Sequence, residues 1–190
     1  MTSIVLLGSP GAGKSSVSKQ LSSLGYTSII TGALYREQYQ AGTELGLRAY
    51  NEYWGHGDIC PDEMTNELMR VAIENQPTMN LVFDGYPRTY EQARYLDSIV
   101  NIDLVLDLQI SDEIAMKRLL GRADGRVDDT EEIIRQRLAV YHKNNDDIVQ
   151  YYLLMPERYK VIDSNRPKND VFEEVIDTIE LMEDEGYNEL

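Results

Sequence analysis

SIVLLGSPGAGKSS, residues 3–16, runs from an apolar strand pattern at Ile4 to Leu7 directly into Gly8-Ser9-Pro10-Gly11-Ala12-Gly13-Lys14-Ser15, the spacing GxxxxGK[ST]. A loop that wraps a polyphosphate needs small residues, because its backbone N–H groups must curl around the anion. The following helix adds its positive end, and a lysine reaches the outer phosphates. Gly8, Gly11 and Gly13 supply the room and Lys14 the charge. Residues 14–24 then place Val17, Leu21 and Leu24 at helical spacing, the continuation such a loop requires.

Outward from this loop, strand and helix patterns alternate. Strands are predicted at 3–7, 27–30, 80–84, 103–108 and 159–163, and helical segments at 14–24, 34–40, 43–55, 61–75, 89–99, 111–120, 130–153 and 168–183. Short β-branched runs between longer helices indicate an α/β fold, a parallel sheet covered on both faces. At 190 residues and 42% hydrophobic content the chain reads as one domain. A net charge of −15 argues against a nucleic-acid polymer as partner, so the 18 lysines and arginines must be read by position. The single Cys60 excludes an internal disulfide and a four-cysteine zinc site. With no signal peptide and no long apolar span, the expected location is the cytoplasm, without a membrane partner.

Two further stretches carry chemistry. In NLVFDGYPRTYEQA, residues 80–93, Asp84 ends a strand on the same edge as the phosphate loop, where a carboxylate can order Mg²⁺ or its waters. Gly85 and Pro87 form a turn that presents Arg88, whose planar fork suits a phosphate. Gln92, four residues on, is read as sharing a helical face with Arg88 and reaching the base whose phosphate Arg88 holds. The second stretch gathers Arg118, Arg122, Arg126 and Arg137 around a glycine-punctuated loop. Cations concentrated in so acidic a chain suit a lid that closes over a phosphoryl group; the alternative is neutralisation by Asp124, Asp128, Asp129, Glu131 and Glu132 on a solvated surface.

Together these residues resemble the adenylate kinase family, or nucleoside monophosphate kinases more broadly, in its short-lid form. The resemblance runs through GSPGAGKSS at 8–16, ITGALYR at 30–36, GDICPDEM at 57–64, FDGYPRTYEQA at 83–93 and GRVDD at 125–129. It implies a P-loop NTPase-like five-stranded parallel sheet with a monophosphate-binding insertion at 31–60 and a short lid at 121–129. It also implies reversible transfer of the ATP γ-phosphate to AMP with Mg²⁺ and no structural zinc, by a monomer. By resemblance, Gly11, Ala12, Gly13, Lys14, Ser15 and Ser16 cradle the ATP phosphates, and Arg118 lies along the ATP base. Thr31, Gly32, Arg36, Ile59, Gly85, Arg88 and Gln92 form the monophosphate site. Lys14, Arg88, Arg122, Arg126 and Arg137 act on the phosphates in transfer, and Asp84, with Ser15 as a second oxygen, serves the magnesium. Asp128 and Asp129 orient lid arginines.

Three departures stand out. Ala33 occupies a position where the family usually has an aspartate, Ser15 one where it usually has glycine, and only Ala123, Asp124 and Gly125 separate Arg122 from Arg126. Alternatives are a kinase preferring dAMP, UMP or CMP, and a non-catalytic nucleotide-responsive binding protein. His56 and His142 are expected to be structural or exposed, and Tyr39, Tyr50, Tyr53 and Trp54 to pack the insertion rather than stack on a base.

Overall fold

The computed structural model describes residues 2–78, 80–121 and 130–187, the side chains of 185–187 excepted. Five strands, β1 (Ser3–Leu7), β2 (Thr27–Ile30), β3 (Leu81–Asp84), β4 (Leu104–Gln109) and β5 (Tyr159–Asp163), pair in parallel in the order β2-β3-β1-β4-β5. The helices are α1 (Lys14–Ser23), α2 (Thr31–Gln40), α3 (Glu44–Glu52), α4 (Asp62–Glu74), α5 (Tyr90–Ile99), α6 (Asp112–Leu120), α7 (Glu131–Tyr152) and α8 (Lys168–Tyr187).

Alternation along the strands divides the core in two. Val5, Leu7, Ile29, Leu81, Phe83 and Val105 pack with Met69 of α4, Leu96 of α5 and Ile148 of α7. Ile4, Leu6, Val82, Leu104, Leu106 and Ile162 face the other way, onto Leu21 of α1 and Val175 of α8. Both faces are therefore dry, which explains why these strands read as unbroken apolar runs. Each fully buried side chain of this size contributes about 1.5–3 kcal/mol.

The helix following β1 covers one face and the helix following β3 the other, so the chain parts between these neighbouring strands at their carboxyl ends. Ligands bind at such a switch point in open α/β sheets. The register sets Leu6 opposite Asp84, bringing the loop after β1 beside the loop after β3.

Between β2 and β3 the chain builds a small lobe with its own cluster of Tyr35, Ala49 and Cys60, flanked by Tyr53, Trp54, Met64 and Leu68. Here the predicted boundaries need correction. α2 begins at Thr31 rather than 34, running directly from the end of β2 with no side-chain cap to announce it. The predicted helix at 43–55 divides into α3, capped by the Thr43 hydroxyl accepting from Gly46 N, and a separate 3₁₀ turn at Trp54–His56. α8 continues to Tyr187, past the predicted 183.

Candidate active site

The phosphate loop is shaped by close approach. Gly8 has φ +127°, and a Cβ there would lie 2.3 Å from the Leu108 carbonyl oxygen, so only glycine passes β4 at this point. From the far end of the sheet, the Ser164 hydroxyl donates to the Ala12 carbonyl and pins the loop across 152 positions of sequence. Sequence reading missed Ser164; its place immediately after the strand at 159–163, on the ligand edge, was the available signal. Lys14 begins α1, and its ammonium donates to the Gly8 and Ser9 carbonyls at 2.5 and 2.9 Å.

Asp84 is 4% exposed at the end of β3, and its Oδ2 accepts from the Ser15 hydroxyl at 2.7 Å. A hydroxyl and a carboxylate side by side at the rim of a phosphate loop are hard oxygen donors of the kind Mg²⁺ takes. Among the described residues no group of three or more His, Cys, Asp or Glu side chains is placed to hold a metal, so these oxygens would supplement water and phosphate oxygens.

Arg88 lies ahead of α5 rather than in it, which corrects the expectation that it shares a helical face with Gln92. Thr89 is the N-cap, its hydroxyl accepting from Gln92 N at 3.1 Å, and the Gln92 Oε1 accepts from Arg88 N at 2.7 Å. The two residues meet through this capping arrangement. The Arg88 guanidinium is held by its Nε, which donates to Gly85 O at 2.9 Å. Solvent reaches it through the open cleft. The surrounding protein lowers its pKa by desolvation, while Asp84, Cys60 and Tyr35 act in the opposite direction. Burial raises the Cys60 thiol.

One cavity of about 200 Å³ collects Thr31, Gly32, Arg36, Ile59, Asp84, Gly85, Arg88, Gln92 and Arg137, with Gly11 and Lys14 at its edge. Arg36 covers Gly32, where a Cβ would stand 3.2 Å from Nη1. Thr31 is buried, its hydroxyl against Met69 Sδ at 3.4 Å. A second cavity, of about 450 Å³, runs along Gly11 to Ser16 to Arg118 and Arg166, with the Arg118 Nη2 donating to Arg166 O at 3.3 Å. Arg122 and Arg126, like the remainder of the predicted lid beyond Gly121, lie outside the described residues.

Ala33 is exposed and does not border the first cavity. Tyr39, Tyr50 and Trp54 pack on one another with ring centroids 4.4 to 5.8 Å apart, as expected for lobe packing, although Trp54 also borders the cavity. His56 is exposed and contacts Asn51 O; His142 is exposed and contacts Asp112. None of the described helices is long and apolar enough to cross a membrane.

A phosphate loop at the switch point of a parallel sheet, flanked by a carboxylate and by arginines, defines the phosphate-loop nucleotide-dependent enzymes. Within that class the match is specific. The sequence pattern of the family described as "Adenylate kinase" covers residues 6–155. The chain is 37% identical over 176 residues to the adenylate kinase of Mycobacterium tuberculosis, spanning 89% of this chain and 94% of that protein. It is 41% identical over 156 residues to that of Mycolicibacterium smegmatis, with 78% and 84% coverage, and 39% over 161 residues to that of Pseudarthrobacter chlorophenolicus, with 80% and 83%. The chain belongs to the adenylate kinase family and is a phosphotransferase.

Proposed function

We propose that this enzyme transfers the γ-phosphate of ATP reversibly to AMP, giving two ADP, with magnesium. One observation carries the reading: Gly11 and Lys14 border both cavities, so two separate cavities meet at the phosphate loop. The cavity along Gly11 to Ser16 receives ATP, with Arg118 beside its base. The cavity between the insertion, residues 31–60, and β3 receives the monophosphate, whose phosphate meets Arg36 and Arg88. Its base lies among Thr31, Gln92 and the backbone of Ile59 and Gly85.

The attacking oxygen already belongs to a phosphate, so no protein base or covalent nucleophile is required. Positioning and electrostatic stabilisation carry the step. Lys14 and Arg137 stabilise charge on the phosphoryl group in flight, and on the sequence reading Arg122 and Arg126 join them when the lid at 121–129 closes and excludes water. Magnesium supplies neutralisation of phosphate charge; Asp84 and Ser15 would hold its waters. The reading includes a monomer working in the cytoplasm, free of nucleic-acid polymer and membrane, with no structural zinc.

A coupled assay on desalted enzyme, supplying ATP, Mg²⁺ and each common nucleoside or deoxynucleoside monophosphate at equal concentration, tests it. ADP formation fastest with AMP is expected. Faster use of dAMP, UMP or CMP reassigns the acceptor, and tight ATP binding with no turnover on any acceptor reassigns the protein to nucleotide-responsive binding.

A further inference from the structure

Asp62 stands at the first position of α4, within the GDICPDEM stretch but with no role assigned to it by the sequence reading. Its Oδ1 accepts two hydrogen bonds, from the Thr89 hydroxyl at 2.9 Å and from the Gln92 Nε2 at 2.8 Å. The same Gln92 amide accepts from Arg88 N through Oε1 at 2.7 Å. Gln92 is 1% exposed and borders the acceptor cavity.

These contacts decide which way the amide faces. A backbone N–H only donates and an ionised carboxylate only accepts, so Oε1 must face Arg88 and Nε2 must face Asp62. Half a turn of the amide would set donor against donor and acceptor against acceptor. The Thr89 hydroxyl is fixed in the same way, since it accepts from Gln92 N and therefore directs its proton to Asp62. A second tie lies one helical turn along α4, where Asn66 Oδ1 accepts from the Tyr86 hydroxyl at 2.6 Å. α4 is thus fastened at two points to the segment that carries Arg88.

After these bonds the amide retains one N–H and one oxygen lone pair. Adenine offers the complement, an amino donor at C6 beside a ring-nitrogen acceptor, the pairing by which glutamine reads adenine elsewhere. Hypoxanthine places a carbonyl acceptor at C6 and so opposes an amide held in this orientation. We infer that Asp62 is a positioning residue for acceptor specificity, which locks the Gln92 amide in the sense that accepts a 6-amino purine monophosphate and rejects a 6-oxo one. The inference rests on the placement of the monophosphate base beside Gln92 proposed above.

IMP is the probe, because it presents the 6-oxo purine on the same ribose phosphate. Asp62→Ser keeps a polar residue suited to a helix start but withdraws the carboxylate from Gln92. The ratio of kcat/KM for AMP over IMP should fall about tenfold, through KM for AMP and without change in KM for ATP. Asp62→Asn, which keeps an oxygen at the same reach, should restore the ratio. In a Gln92→Ala background, Asp62→Ser should produce no further change in the ratio, whereas a merely structural role would lower the thermal midpoint and weaken both acceptors alike. An unchanged ratio in folded Asp62→Ser overturns the role of Asp62 alone. A wild-type enzyme with no preference for AMP over IMP overturns the placement of the base as well.

Discussion

Arg88→Lys separates what a guanidinium fork does from what a positive charge does. In the structure Arg88 Nε donates to Gly85 O at 2.9 Å, and a Cβ built on Gly85 would lie 3.1 Å from Nη2, so the guanidinium rests against the Gly85 backbone. That anchor uses one donor and leaves those on Nη1 and Nη2 for the acceptor phosphate. Lysine keeps the charge, but cannot hold the Gly85 carbonyl and also present two parallel bonds to a phosphate. Losing a hydrogen bond to a charged group costs about 1.5–3 kcal/mol. At about 1.4 kcal/mol per decade, this predicts a loss of about 10- to 150-fold in kcat/KM for AMP. The Michaelis constant for ATP should stay within about threefold, because the guanidinium borders the acceptor cavity and not the donor one. Initial rates with AMP titrated at saturating ATP, then ATP at saturating AMP, measure both. Gly85→Ala should reproduce part of the defect: its φ is +81°, where an alanine costs about 1–2 kcal/mol, and its methyl presses on the anchored guanidinium. A change below about threefold in kcat/KM for AMP in Arg88→Lys would refute the assignment of this residue to the acceptor phosphate.

Lys14→Ala should lower turnover by about 10²-fold or more, because the ammonium that donates to the Gly8 and Ser9 carbonyls stands where the two cavities meet; an unchanged circular dichroism spectrum checks that the fold is kept. Gly57→Ala should raise KM for AMP without affecting ATP: φ is +88° and a Cβ would stand 2.9 Å from the Ile133 carbonyl of α7, so the insertion must shift away; an unchanged KM would show that this contact does not shape the acceptor cavity. Burial raises the Asp97 carboxyl above its ordinary range, against the opposing hydrogen bond from the Tyr151 hydroxyl. Between the unfolded and the raised folded pKa the native state holds the extra proton, so stability falls as pH rises through that window from about pH 4. Asp97→Asn should abolish this contribution in urea unfolding followed against pH, and an unaltered slope would exclude it.

What could be read from the sequence follows how local its cause is. The five strands and the phosphate loop were legible because buried parallel strands are apolar without interruption and the loop needs glycine at fixed offsets. The relation of Arg88 to Gln92 was misread as a shared helical face. Thr89-Tyr90-Glu91-Gln92 has the spacing of a capping box, and reading Thr89 as the cap would have excluded Arg88 from α5; the Gln92 side chain reaches back one residue beyond the cap, to Arg88 N. The start of α2 had no comparable mark. Thr31 and Gly32 are weak helix formers, and the helix takes its first turn from the end of β2 with only the Arg36 side chain over the glycine.

The insertion shows where locality ends. Gly57 could be recognised as a turn residue from its neighbours, and it does close the 3₁₀ turn by donating to Trp54 O at 3.1 Å. Yet what forbids a side chain there belongs to α7, where the Ile133 carbonyl and the Gln136 side chain crowd the same point. The next residue, Asp58, accepts from Gln136 Nε2 at 2.8 Å across 78 positions of sequence. Gln136 adjoins Arg137, which lines the same cavity as Thr31, Arg36 and Ile59 of the insertion. A turn glycine, a half-buried aspartate and an exposed glutamine are each unremarkable in sequence. Only their contact joins the lobe assigned to the acceptor nucleotide with the helix that carries Arg137 to the cavity wall, so that a shift of either element is felt by the other.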